Sequence, residues 1–322
     1  MNFQADKIYC GDAFETLKTF PDESVNCCIT SPPYYGLRDY GVDGQIGNET
    51  TTEEYIYNLI KVFDEIKRIL KKDGTLWLNI GDSYAGSNQG KGAKNPSRLQ
   101  FANRGTQYMF TQSVSRLAHV KGCKPKDLIG IPWMLAFALR GSGWYLRQDI
   151  IWAKGNPMPE SVKDRCTKSH EYIFLLSKSK RYYFDNSAMR EPAVSLNDLS
   201  RRLQSGHALW TNNKAKDTYA VSGKNRSRTE LYSKDGMRNK RDVWFVNTKK
   251  YSGAHFATYP DTLIEPCILA GCPKGGIVLD PFIGSGTTAV VAARHNRHYI
   301  GIELNPNYVK IANTRIEDSL SV

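Results

Sequence analysis

Apolar residues recur at helical spacing after Thr51: Ile56, Leu59, Ile60, Phe63, Ile66 and Leu70 fall on one face of a single helix. Thr51 and Glu54 form a capping box at its start, and Gly74 predicts its stop. Short apolar runs at 25–30 and 75–80 flank this helix and have the length and composition of buried strands. Strand, helix, strand predicts a parallel sheet. The alternation returns with a helix over 131–140, opened by Pro132 and stopped by Gly141, then strands over 144–152 and 171–176 as a hairpin finish to the sheet. From about Tyr259 it resumes with a helix over 261–270, a strand over 276–280, a glycine turn, a helix from about Thr287, a strand over 299–303 and a last helix to about Asp318. The pattern predicts a doubly wound α/β domain. Residues 186–250 hold no sustained period of either kind and read as an inserted lobe or long loops. The Gly/Asn/Ser-rich stretch 85–106 reads as a mobile loop, and no internal repeat is present.

At 322 residues and 40% hydrophobic, the chain buries one large core, or one core with a smaller appended lobe. The seven cysteines form no CxxC pair, which argues against a disulfide framework or a zinc site and for free, mostly buried thiols. No apolar stretch approaches the roughly 18 residues of a membrane span, and the first residues lack a signal pattern, so a soluble cytoplasmic protein is expected.

The net charge of +12 is unevenly placed. Between Asp82 and Asp127 there are eight Lys/Arg and no acidic residue; from Lys178 to Lys250 there are seventeen Lys/Arg against seven Asp/Glu. Both stretches interleave aromatic residues, among them Phe101, Tyr108, Trp210, Tyr219 and Tyr232, a mixture suited to gripping phosphates and stacking on bases. Contacts to a polyanionic, base-bearing partner are therefore expected at Lys91, Lys94, Arg98, Arg104, Arg201, Arg202, Lys224, Arg226, Arg228, Arg238, Lys240 and Arg241.

Two segments carry the chemistry. Asp280-Pro-Phe-Ile-Gly-Ser-Gly-Thr-Thr288 follows an apolar strand and opens a helix, where a glycine turn lets backbone approach a nucleoside ligand. Glu303, at the end of the next strand, is placed to accept both ribose hydroxyls. Ala289 stands where the dinucleotide pattern has its third glycine, which argues against a pyrophosphate cofactor. The second segment, Thr30-Ser-Pro-Pro-Tyr-Tyr35, directly follows a strand. Its two prolines stiffen the turn and hold the Ser31 hydroxyl and Pro32 carbonyl as neighbouring acceptors. Such a pair can draw the hydrogens of an exocyclic amino group and free its lone pair for direct attack on an electrophilic methyl.

Together, Ser31-Pro-Pro-Tyr34 and the 280–288 motif resemble the DNA amino-methyltransferases in the permuted β-class order, with the catalytic motif first. The likeness covers nearly all of residues 7–318 except 186–250. It implies a Rossmann-like methyltransferase sheet in circularly permuted order with an inserted basic target-recognition region. The parts would be 1–185, the catalytic half with a mobile basic loop at about 85–126; 186–250, target recognition; and 251–322, the cofactor-binding half. It implies S-adenosylmethionine as cofactor, double-stranded DNA as the partner gripped by those basic residues, no metal, and base flipping. By the same resemblance Ser31, Pro32, Pro33 and Tyr34 form the catalytic turn. Asp12 with Ala13 meets the cofactor adenine, and Glu303 with Leu304 its ribose. Asp280, Pro281, Phe282, Gly284, Ser285, Gly286 and Thr287 surround the methionine moiety, and the segment from His255 to Pro260 closes over the ligand. Trp152 is a second wall of the target-base pocket or a core tryptophan. Relatives with serine at the position of Ser31 mostly modify cytosine N4 and those with aspartate adenine N6, so cytosine is the expected target, with adenine as the alternative. A separately acting restriction endonuclease, a monomeric or homodimeric state and a prokaryotic or phage origin accompany that expectation.

Other classes fit less well. Cys267 follows Pro266, as in a cytosine C5 nucleophile, yet it shares a helical face with Leu263, Ile264 and Ile268 and reads as core. RNA or protein amide methyltransferases can carry asparagine at the position of Ser31, and Ser31 with the large basic segments favours DNA over them; a non-catalytic binding protein would not need both motifs intact.

Overall fold

The computed structural model describes residues 3–37, 42–86, 117, 120–192, 237–248 and 259–320. Thr51 caps the longest helix among the described residues, its Oγ1 accepting from Glu54 N, while Glu54 Oε2 reaches past the cap of the expected box to accept from Thr50 N. This helix, Thr52–Ile69, follows two short elements at the N-terminus, β1 (Lys7–Cys10) and α1 (Ala13–Leu17), and the strand β2 (Val25–Thr30), and is α2 here. It buries Tyr55, Ile56, Leu59, Val62, Phe63, Ile66 and Ile69. It ends earlier than the Gly74 signal suggests. Leu70 turns extended and begins β3 (Leu70–Ile80), because its backbone pairs with Val25 and its carbonyl accepts from Lys178 Nζ at 2.6 Å. Tertiary pairing here overrides a local stop.

The chain continues through α3 (Ile131–Gly141), β4 (Tyr145–Ala153) and β5 (His170–Ser177). Beyond the short strands β6 (Arg190–Pro192), β7 (Met237–Asn239) and β8 (Val243–Phe245) come α4 (Asp261–Gly271), β9 (Ile277–Asp280), α5 (Thr287–Arg294), β10 (His298–Glu303) and α6 (Pro306–Leu320). Eight of these strands form one sheet in the order β1-β10-β9-β2-β3-β5-β4-β8. The five from β1 to β3 are parallel, and β3, β5 and β4 run alternately antiparallel, the expected hairpin finish. β2 and β9 are neighbours although some 250 residues separate them, and their crossovers leave in opposite directions along the sheet. That is a topological switch point, where open α/β sheets bind ligands at the carboxyl ends of the strands.

Alternate residues of the central strands face opposite layers, as strand geometry requires. Leu76, Leu78 and Ile80 join α2 and α3 in the main core through Leu59, Phe63, Leu135 and Leu139. Trp77 and Cys27 face the other way and approach Gly271 of α4, where an added Cβ would stand 2.5 Å from Trp77 Nε1. Ile283, Ala289, Val290, Ala312 and Ile316 form a further cluster under α5 and α6. Helices thus cover both faces, which explains why the sheet's interior strands are apolar throughout.

The described chain divides into two compact units, 1–185 with 242–322, and 186–241. In the smaller unit, β6 pairs antiparallel with β7, and Glu191 bonds both Arg238 and Arg241. β8 pairs with β4 in the large sheet, so the residues around 243–245 are structurally continuous with the main unit. All seven cysteines are free; four are buried, Cys123 is half-buried, and Cys10 and Cys166 are exposed. Among the described residues no helix is long and apolar enough to cross a membrane, and no three metal-binding side chains cluster.

Candidate active site

Adjacency of β2 and β9 puts the two motif turns side by side, since Ser31 follows the last residue of one strand and Pro281 the last of the other. Asp280 ties them together. Its buried carboxylate accepts from Thr30 Oγ1 at 2.7 Å, Tyr259 OH at 2.8 Å, the Thr288 hydroxyl and Phe282 N at 3.1 Å. Burial pushes the Asp280 carboxyl up, and these four donors work against that shift. The proline turn is held from its other side, where Tyr55 OH donates to Pro33 O at 2.8 Å.

Both turns open into a continuous cavity of about 420 Å³, a size suited to a nucleoside-class ligand. Asp12, Ala13, Pro281, Phe282, Gly284, Ser285, Thr287, Glu303 and Leu304 line one part of it; Ser31, Pro32, Pro33, Tyr34 and Trp152 line another. Gly284 takes a positive φ of 51°, and an added Cβ there would meet only Phe282 O at 4.0 Å, so the backbone borders open space. The Glu303 carboxylate accepts from Gly284 N at 3.0 Å and Asn305 N at 2.8 Å. Burial, opposed by those N–H groups, raises its carboxyl from the ordinary glutamate value. Each of its oxygens keeps capacity for a further hydroxyl donor.

A family model described as DNA methylase matches residues 25–314 of this chain. The chain belongs to the DNA methylase family. The methylase is 47% identical to the type II methyltransferase M.Cfr9I of Citrobacter freundii over 96% of this chain and 87% of that one. It is 44% identical to M.SmaI of Serratia marcescens over 98% and 92%. In fold it resembles the PvuII DNA methyltransferase (cytosine-N4-specific), with TM-score 0.61, 18% identity and 99% and 93% coverage. A DNA modification methylase from Thermus thermophilus gives TM-score 0.56 at 22% identity, with 97% and 95% coverage.

Two residues expected at the methylase's cavity wall stand behind it. Asp280 is 1% exposed and is drawn inward by its four donors, so it joins the turns instead of facing a ligand. Gly286 caps α5 at φ 85° and abuts Ala312, where a Cβ would stand 3.0 Å from Ala312 Cβ. Asp12 lines the cavity while its Oδ1 caps α1 by accepting from Glu15 N at 2.9 Å. Arg315 braces the turn through Ser285 Oγ and Thr287 Oγ1. Trp152 is 3% exposed and packed like a core residue, with Nε1 donating to Val246 O at 2.7 Å, and it also borders the cavity. His255, Lys91, Lys94, Arg98, Arg104, Arg201, Arg202, Lys224, Arg226 and Arg228 lie outside the described residues. Of the remaining basic residues expected at DNA, Arg238 and Arg241 both pair with Glu191, and the Lys240 backbone donates to Met189 O.

Sequence reasoning missed a polar group on the cavity wall. Tyr34 OH donates to Glu171 Oε2 at 2.6 Å, Asn79 Nδ2 donates to the same oxygen at 3.3 Å, and Lys154 Nζ pairs with Glu171 Oε1. The Lys154 ammonium also lies 4.4 Å from the Trp152 ring centroid. Burial first, and then the Glu171 charge, pushes the Tyr34 phenol well up, so it remains a donor at neutral pH. Tyr259, also on the wall, was passed over as part of a closing segment; its phenol is pushed up by burial and by Asp280.

Proposed function

We propose that this methylase transfers a methyl group from S-adenosylmethionine to the exocyclic N4 of cytosine in duplex DNA. The single observation that carries the reading is the meeting of the Ser31 turn and the Glu303 carboxylate on one cavity at the switch point. The residues present suit the cofactor. Glu303 accepts the ribose hydroxyls, Asp12 the adenine amino group, and the turn from Pro281 to Thr287 surrounds the methionine portion. The bound sulfonium supplies an activated methyl group.

The chain's own part is positioning and polarisation. Ser31 Oγ and Pro32 O accept from the amino hydrogens, which weakens delocalisation of the nitrogen lone pair into the ring and aims it at the methyl carbon. The base leaves the duplex to reach this site, and Tyr34 and Trp152 offset part of its lost stacking. The basic residues of 82–127 and 186–250 grip the phosphates, and 186–250 carries target recognition. A serine at position 31 favours cytosine. M.Cfr9I and M.SmaI carry type II names, which supports a protective role beside a separately acting endonuclease in the cytoplasm of a bacterium.

The test is to incubate the purified protein with unmethylated DNA and cofactor, digest the DNA to nucleosides and identify the product by mass spectrometry. N4-methylcytosine is expected. N6-methyladenine would move the target to adenine, and no modified nucleoside would remove the reading.

A further inference from the structure

Building on the methyl-transfer reading, we infer that Glu171 is the terminal acceptor of the proton that the target amino group must lose, receiving it through Ser31 and Tyr34. Attack forms the N–CH3 bond and breaks the S–CH3 bond, whose electron pair stays on sulfur. The amino nitrogen then carries four bonds, and one N–H bond must break with its pair returning to nitrogen. Ser31 cannot keep that proton, because a protonated hydroxyl is a far stronger acid than a carboxylic acid. Its Oγ lies 3.4 Å from Tyr34 OH, and Tyr34 OH lies 2.6 Å from Glu171 Oε2. Ser31 takes the nitrogen's proton as it gives its own to the Tyr34 oxygen, and Tyr34 gives its own to Glu171. Both hydroxyls end as they began, and Glu171 ends as a neutral acid.

Three further features favour this route. The described carboxylates on the cavity wall are Asp12, Glu171 and Glu303, and of these Glu171 is the one bonded to the proline turn. Asn79, its other neighbour, has no basic site to compete. Charge also balances. The sulfonium loses its positive charge as Glu171 loses its negative one, so the net charge of a weakly solvated pocket is unchanged by the reaction. Lys154 and Asn79 fix the carboxylate, and the Tyr34 ring is fixed against Gly81, where a Cβ would lie 2.8 Å from Cε2. Glu171 acts through Tyr34 and is not itself against the base.

The experiment follows a labelled methyl group into unmethylated genomic DNA in a single turnover of the full-length protein. Glu171→Gln and Tyr34→Phe should each slow transfer by roughly 100-fold, the usual worth of a placed proton acceptor. The double variant should be no slower than either single, because the two residues lie in series. Affinities for cofactor and for DNA should stay within about twofold to threefold, which also establishes that the variants fold. Without any ligand, Glu171→Gln should bring the Tyr34 phenol's ionisation, identified by difference from Tyr34→Phe, to lower pH. Transfer by Glu171→Gln within about threefold of wild type, or losses that multiply in the double variant, would overturn the relay. A wild-type protein that labels no DNA would defeat the methyl-transfer reading instead.

Discussion

Glu303 offers the most quantitative test of the cofactor half of the site. Its two oxygens each hold one backbone N–H, from Gly284 at 3.0 Å and Asn305 at 2.8 Å, and each has room for a ribose hydroxyl. Glu303→Gln turns one acceptor into a donor facing a backbone donor, so it removes one charge-assisted bond to ribose and one that shapes the glycine turn. At about 1.5 kcal/mol for each, the loss is about 3 kcal/mol, or roughly 150-fold in S-adenosylmethionine affinity. Titration calorimetry at neutral pH would measure it directly. The pH dependence has a definite sign. Because burial raises this carboxyl, protonation sets in at a higher pH than for a free glutamate, and affinity should fall as pH declines from neutrality. Stability should move the other way, since a raised carboxyl contributes stability below its unfolded pKa and loses it as pH rises through the folded one. Glu303→Gln should flatten the affinity curve. A variant that binds within about fivefold of wild type, with an unchanged pH profile, would refute the assignment of Glu303 to the ribose.

Ser31→Ala should keep cofactor affinity and lose roughly 100-fold or more of turnover, because one acceptor on the reacting amino group is gone; normal turnover in a steady-state assay would remove Ser31 from its role. Gly284→Leu should abolish cofactor binding by filling the space its backbone borders, whereas Gly286→Ala should cost about 2–4 kcal/mol in denaturant unfolding, from left-handed strain and from crowding Ala312. Alanine in place of Arg201, Arg202 and Lys224 should weaken DNA binding and flatten its salt dependence by about 0.9 for each phosphate no longer neutralised; an unchanged slope would locate the phosphate grip elsewhere.

The elements that announce themselves locally were legible in the chain: the capping box and apolar stripe of α2, the β2 run, and the strand-turn-helix of β9 and α5. What depends on pairing was not. β1 and β8 are four and three residues long and exist through their register with β10 and β4. Glu171 lies on β5 and Lys154 directly follows β4, and only the register that sets Ala153 opposite His170 brings them together behind Tyr34. Asp280 was legible as a motif residue but not in its orientation, which Thr288 of its own motif, Thr30 at the end of β2 and Tyr259 ahead of α4 determine. Side chains that serve a motif from across the sheet leave no periodic trace.

Methyl transfer here depends on the proline turn presenting an amino group to the activated methyl within this one cavity. A crystal structure of the protein with duplex substrate and a non-reactive S-adenosylmethionine analogue tests it most directly. The expected complex holds an extruded cytosine whose N4 hydrogens are accepted by Ser31 Oγ and Pro32 O, with N4 about 3–3.5 Å from the group standing for the methyl. An amino group bonded elsewhere, or an analogue seated away from Glu303 and Gly284, would contradict it.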